Sequence, residues 1–129
     1  KRLVIELEFD AFTIFLVHLS LKYRHRQYQL GDLYGLFKNV TKPMIVAGDF
    51  NAFWGNRELE LFMGAAGLVN ANRKGLATFP SHSPKRQLDF ILHSPEIRVT
   101  DFRVPPVQYS DHMPLVCEFT PPKPAAISA

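Results

Sequence analysis

The chain has one cysteine in 129 residues, so no internal disulfide framework holds it together. Cys117 stands in the apolar run Leu115-Val116-Cys117 and reads as a small buried side chain. No stretch approaches the roughly 18 uninterrupted apolar residues that a membrane helix requires, and no secretory leader is visible. The expectation is a cytoplasmic protein without a membrane span. A strong charge of one sign is also lacking. Fifteen Lys and Arg against twelve Asp and Glu leave +3, which permits phosphate-bearing substrates without demanding nucleic acid. No internal repeat is present. What the chain does have is 47% hydrophobic residues, enough for the core of one domain and too many for a disordered segment.

Periodicity places the elements. Residues 3–9 and 12–19 read as a β-hairpin around Asp10-Ala11. Residues 22–40 read as an amphipathic helix, with Tyr23, Gln27, Leu30, Leu33, Tyr34 and Phe37 at three- and four-residue steps. Gly31 and Gly35 weaken its middle. Pro43 opens a buried strand, Met44-Ile45-Val46-Ala47, which ends at Gly48-Asp49. After a loop over 49–56, Leu59, Phe62, Met63 and Ala66 form the stripe of a short helix, with Asn56 as its N-cap and Gly67 as its stop. Residues 70–87 form a long polar loop, a length that points to function within a compact domain. Strands follow at 88–93, around 97–104 and at 114–119, with a loop at 109–112. The expected division is a mixed α/β (α+β) domain over 1–120 and a disordered Pro- and Ala-rich tail over 121–129.

Polar residues gather at the strand ends. In Gly48-Asp49-Phe50-Asn51 a buried strand ends in a glycine and then presents an acid and an amide two residues apart. Extended backbone would aim both to one side. A carboxylate can take a proton from water or hold a hard cation, and an amide can donate to a phosphoryl oxygen. An isolated Asp-x-Asn more often only forms a turn and caps the next helix. A calcium loop is excluded: Asp49, Asn51 and Glu60 fit positions 1, 3 and 12, but Phe53 and Trp54 occupy positions 5 and 6, where a ligand and a glycine are needed. Ser110-Asp111-His112 offers a metal ligand beside an imidazole. Asp89 opens an otherwise apolar strand, and His112 is its natural partner, because a buried acid requires one. His18 closes the second strand. Trp54, next to the Asp49 loop, reads either as stacking on substrate or as capping the core, and its neighbour Phe53 tilts it towards packing.

The order His18, Asp49-x-Asn51, Leu88-Asp89-Phe90-Ile91 and Ser110-Asp111-His112-Met113-Pro114, with Thr78-Phe79-Pro80 between, resembles the endonuclease/exonuclease/phosphatase superfamily over about His18 to Phe119. That superfamily includes deoxyribonucleases, apurinic-site endonucleases, sphingomyelinases and inositol-polyphosphate phosphatases. The resemblance implies the C-terminal half of a four-layer α/β/β/α sandwich, one mixed sheet with helices on its outer face. It implies divalent-metal-dependent hydrolysis of phosphoesters, with Mg²⁺ or Mn²⁺. Asp49 would activate the attacking water. Asn51 would hold that water or a phosphoryl oxygen. His112, supported by Asp89, would donate to the phosphate, and His18 would contact a phosphate oxygen. Asp111 would contact the metal.

Family members are about twice this length, and their N-terminal half supplies an Asn and a Glu to the metal. The resemblance therefore implies a bare inner sheet face, covered by the N-terminal half of the same protein or by a second copy. For substrate, Arg73, Lys85 and Arg86 around Phe79 suit a phosphodiester of DNA or RNA with a base to stack. The same set suits an inositol phosphate or the sphingomyelin headgroup, and a non-catalytic binding domain on the same fold is the alternative from another class.

Overall fold

A computed structural model describes residues 3–124. Residues 125–129 of the expected tail lie outside the described residues, and 121–124 carry no regular structure. In chain order the elements are β1 (Ile5–Glu8), β2 (Thr13–His18), α1 (Tyr23–Phe37), β3 (Met44–Asp49), α2 (Arg57–Ala66), β4 (Val69–Asn70), β5 (Asp89–His93), β6 (Arg98–Arg103) and β7 (Val116–Thr120). Five strands form one mixed sheet in the order β1-β2-β3-β5-β4, as the reading of an α+β fold requires. β2 and β3 run parallel, with α1 as their crossover, and the other pairs are antiparallel. β6 and β7 do not join this sheet. They form a separate antiparallel pair, tied to it by Phe119 edge-on to Phe12, with ring centroids 5.5 Å apart.

Strand alternation decides what each face carries. Phe15 and Val17 of β2, Met44 and Val46 of β3, and Phe90 and Leu92 of β5 point to one side. There they meet Leu30, Leu33 and Phe37 of α1 and Leu59 and Phe62 of α2 in a single buried cluster. The opposite face carries Ile5 and Leu7 of β1 paired with Leu16 and Ile14 of β2. Ile5, Leu7 and Leu16 are 46%, 43% and 39% exposed, whereas Ile45 of β3 on the same face is 6% exposed, so the apolar face expected to lie bare is open over β1 and the adjoining part of β2 only.

Gly48 shows how tightly β2 and β3 pack. Its φ is +143°, and a Cβ there would stand 1.8 Å from the Val17 carbonyl oxygen. Only glycine fits, and its fit sets the register Val17 to Gly48 and His18 to Asp49.

The buried stripe of α1 differs from its hydropathy. Arg26, Leu30, Leu33 and Phe37 are buried, whereas Tyr23 and Tyr34 are exposed. Arg26 bonds Glu58 at the start of α2 through Nε, both side chains 1% exposed. Its Nη1 donates to the carbonyls of Ser20 and Leu21 at 2.9 and 2.8 Å. One guanidinium thus fastens the segment after β2 to both helices. α2 ends as expected, on Gly67 in the left-handed conformation. Asn56 does not cap its start: it is helical, without a side-chain cap bond. The helix starts on backbone turns, with Leu59 N–H donating to the Asn56 carbonyl at 2.9 Å.

Removing Arg26 leaves the Glu58 charge buried without its partner. Arg26→Met is therefore expected to cost about 3–5 kcal/mol in urea unfolding, and Arg26→Met/Glu58→Met is expected to recover part of that loss. The isolated chain is expected to self-associate through the Ile5, Leu7 and Leu16 face, and Leu7→Lys/Leu16→Lys to sediment as a monomer.

Candidate active site

Three neighbouring strands bring the site together at one level of the sheet. His18 ends β2 opposite Asp49, which ends β3. Asp49 in turn stands opposite Asp89, the first residue of antiparallel β5. Residues directly opposite in a ladder point to the same face, so the three side chains form a row on the side away from the helices. His18 Nε2 lies 3.5 Å from Asp49 Oδ2.

His112 reaches this row from the loop before β7. Its Nδ1 is 2.7 Å from Asp89 Oδ2, and its Nε2 is 3.7 Å from Asp49 Oδ2. Backbone bonds sew that loop down: Met113 N–H to the Thr78 carbonyl at 2.8 Å and Ser81 N–H to the Asp111 carbonyl at 2.7 Å. Thr78, fully buried, also donates its hydroxyl to Asp89 Oδ2 at 2.7 Å and accepts from the backbone N–H groups of Leu88 and Asp89. Asp89 is therefore held from two sides. Thr78 is a positioning residue that the sequence reading quoted within Thr78-Phe79-Pro80 without giving it a role; a hydroxyl in a polar loop carries no periodic signal.

Asn51 departs from the extended geometry assumed for it. Its φ is +49°, its N–H donates to Asp49 Oδ1 at 2.8 Å, and its side-chain amide donates to the Leu19 carbonyl at 2.8 Å. The turn thus fixes Asp49 and ties the β3 loop to the β2 loop. Asp asks a backbone N–H two residues on for this bond, and Asn tolerates the left-handed region.

The environment sets the proton affinities. Burial pushes the Asp49 carboxyl above its usual range and the Asp89 charge adds to this, while the Asn51 N–H and the imidazoles of His112 and His18 hold it down in part. Burial alone would lower His112. The hydrogen bond and charge of Asp89, with the charges of Asp49 and Asp111, outweigh it, so the imidazole is raised above its usual value. The row therefore pairs a carboxylate made more basic with an imidazole biased towards its charged form.

Among the described residues, Asp49, Asp89 and His112 form a group whose ligand atoms lie within 4.8 Å of one another. Two carboxylate oxygens and an imidazole nitrogen fit a divalent cation by donor type. Asp89 Oδ2 already accepts from Thr78 and His112, which leaves Asp49 as the freer oxygen donor. Asp111 is exposed, and its Oδ1 is 3.5 Å from the Ser110 hydroxyl.

The loop over 70–87 is more structured than expected. Val69–Asn70 pair with β5, and Phe79 bridges Arg86. Phe79 packs on His112, centroids 4.9 Å apart, and on Phe53, 6.1 Å apart. Arg86 lies over the Phe53 ring at 5.7 Å and bonds its carbonyl at 3.1 Å. Phe79 and Arg86 therefore border the site, and Lys85 is exposed on the tip beside them. Arg73 does not reach it. With Lys74 and Arg98 it lines a cavity of about 600 Å³ beside His93, at the end of β5 opposite Asp89. Trp54 corrects the packing reading: it is 73% exposed and stands edge-on to Tyr23, not in the core.

Comparison with known proteins agrees with this architecture. An endonuclease/exonuclease/phosphatase from Beutenbergia cavernae is 18% identical, with a TM-score of 0.74 over 95% of this chain and 40% of that one. A mannosyl-6-phosphatase of Bacteroides thetaiotaomicron is 21% identical, with a TM-score of 0.68 over 84% of this chain and 51% of that one. The endonuclease domain of TRAS1, a telomere-specific non-LTR retrotransposon, is 22% identical, with a TM-score of 0.67 over 90% and 60%. These likenesses show the fold, and the chain spans 40%, 51% and 60% of the length of these three solved structures in turn. No curated protein sequence matches the chain. No helix among the described residues is long and apolar enough to cross a membrane. The model of the Endonuclease/Exonuclease/phosphatase family matches residues 6–112, and the chain belongs to that family.

Proposed function

We propose that the chain carries the water-activating and phosphate-binding side of a divalent-metal-dependent phosphoester hydrolase. The observation that supports this most is the row of His18, Asp49 and Asp89 completed by His112, with Asp49 2.8 Å from the Asn51 N–H and 3.5–3.7 Å from two imidazoles. Asp49, raised by burial, is the general base. It takes a proton from water as the water oxygen attacks phosphorus. The P–O ester bond breaks, and the leaving oxygen takes up a proton from solvent to depart as the alcohol. His112, kept charged and oriented by Asp89, donates to a phosphoryl oxygen where negative charge accumulates. His18 offers a second contact to that oxygen from the neighbouring strand. Asn51 holds the two loops in place and keeps Asp49 aimed. Asp111, one residue before His112, would hold Mg²⁺ or Mn²⁺, and the ion would supply neutralisation of phosphoryl charge.

Asp49→Asn in the full-length protein is expected to cut turnover of bis-p-nitrophenyl phosphate roughly a hundredfold or more, as EDTA does in the wild type. Because the Asp49 carboxyl is raised above 3.8, its contribution to stability is present below that pH and lost as pH rises through its folded value. At pH 7 the ionised group costs stability, so Asp49→Asn is expected to melt at the same temperature or higher. Retention of most activity in that variant would remove Asp49 from the mechanism.

His112 is raised above 6.5. Its charge stabilises the fold fully below that pH and progressively less as pH rises through the folded value. In EDTA, the melting-temperature gap between wild type and His112→Gln is expected to be widest below pH 6.5 and to narrow above it.

A further inference from the structure

The two loops that carry the row also carry two exposed aromatic rings for which the proposed hydrolysis has no use. Tyr23 begins α1, directly after the segment leaving His18, and is 49% exposed. Trp54 lies in the turn leaving Asp49 and Asn51 and is 73% exposed. Their centroids are 5.9 Å apart at 70°. Single exposed aromatics need no explanation, but this pair is held in place. The Arg26 guanidinium, itself 1% exposed, sits 5.7 Å from the Tyr23 ring. Phe53 N–H donates to the Asn51 carbonyl at 2.8 Å and Gly55 N–H to the Ala52 carbonyl at 3.0 Å, which fixes the turn under Trp54. A Cβ on Gly55 would meet nothing within 4 Å, so nothing roofs that turn.

Cations outnumber acids around the pair. Lys22, Arg24 and Arg57 are exposed on the same two segments against one exposed acid, Glu60, and no acid occurs between Leu21 and Gln29. Glu58, the acid nearest in sequence to Trp54, is spent on Arg26. A ring chain runs from the same loop into the site: Phe53 to Phe79 at 6.1 Å and Phe79 to His112 at 4.9 Å. Rings for stacking, interleaved with cations for phosphates, are the pattern that binds a single nucleic-acid strand without reading its sequence.

We propose that Trp54 and Tyr23 form a stacking shelf for a nucleobase of single-stranded nucleic acid, beside the phosphate held by His18, Asp49 and His112. This rests on the phosphoester reading and names its substrate class. The shelf takes the base, Lys22, Arg24 and Arg57 meet the neighbouring phosphates, and Arg86 bounds the opposite side of the loop. Leu21 and Leu61, exposed nearby, are the residues that a lipid surface would use instead.

Trp54 is the chain's one tryptophan, so its emission reports on the shelf directly. The chain is titrated in EDTA with an oligothymidylate of about eight nucleotides, with an abasic oligomer of equal length, and with phosphatidylinositol vesicles. Expected are saturable quenching by the oligothymidylate and much weaker quenching by the abasic strand. By anisotropy of a labelled oligothymidylate, Tyr23→Ala and Trp54→Ala are expected to weaken binding roughly tenfold each, and Trp54→Phe to retain most of it. Equal binding of the abasic strand, unchanged affinity in both alanine variants, or a Trp54 response to vesicles alone would overturn the shelf. Because these measurements need no turnover, binding without hydrolysis would leave the shelf standing and count against the hydrolase. Hydrolysis with a silent Trp54 would do the reverse.

Discussion

The site rests on a contact with no room in it. Gly48 lies so close to the Val17 carbonyl that any side chain would collide with the backbone, and this closeness fixes how β2 and β3 align. A slip of one residue in either strand would turn His18 or Asp49 to the helix side. The row of His18 and Asp49 is thus a product of register, and register here is set by the absence of one methyl group. Asp89 enters the row by the same logic from β5, and Thr78 then pins it.

A second constraint acts on the loops beyond the strands. Arg26 is charged, buried, and shared among Glu58 and two backbone carbonyls. Such a pair contributes little net stability compared with apolar residues of similar volume, so its value here is positional. It determines where the chain turns after His18 and where α2 begins after Asn51, and between those points lie the Asp49 turn and the Tyr23–Trp54 pair. Glu58 Oε2 has no hydrogen-bond partner, which makes the ion pair dependent on the single oxygen that Arg26 and Gln27 share.

Much of the fold was legible because most of it obeys simple alternation. β2, β3 and β5 follow from runs of β-branched and aromatic residues, and Gly67 from its place after the α2 stripe. What escaped has a physical reason in each case. Arg26 reads as a surface residue because hydropathy scores a guanidinium as polar wherever it lies. β4 is two residues long, below the length at which a period can be seen. Asn51 lies two residues past the strand, where extended geometry gives way to a turn. The neighbour Phe53 tilts Trp54 towards packing, and its exposure depends on a turn that no composition reveals. At the site, the identities of His18, Asp49, Asp89 and His112 come from chemistry and order, but the cross-strand row that unites them exists only in the ladder.

The uncovered face has a consequence of its own. Ile14 and Leu16 share their side of β2 with His18, and on β3 and β5 Ala47 and Ile91 share theirs with Asp49 and Asp89. Within each strand one alternate set of residues, even in β2 and odd in β3 and β5, therefore carries both the hydrophobic floor and the polar row. Any layer laid over that floor ends in a wall beside the row, so the surface that seeks shelter from water and the polar surface of the row are continuous. A protein built this way cannot tune the packing of one without moving the boundary of the other.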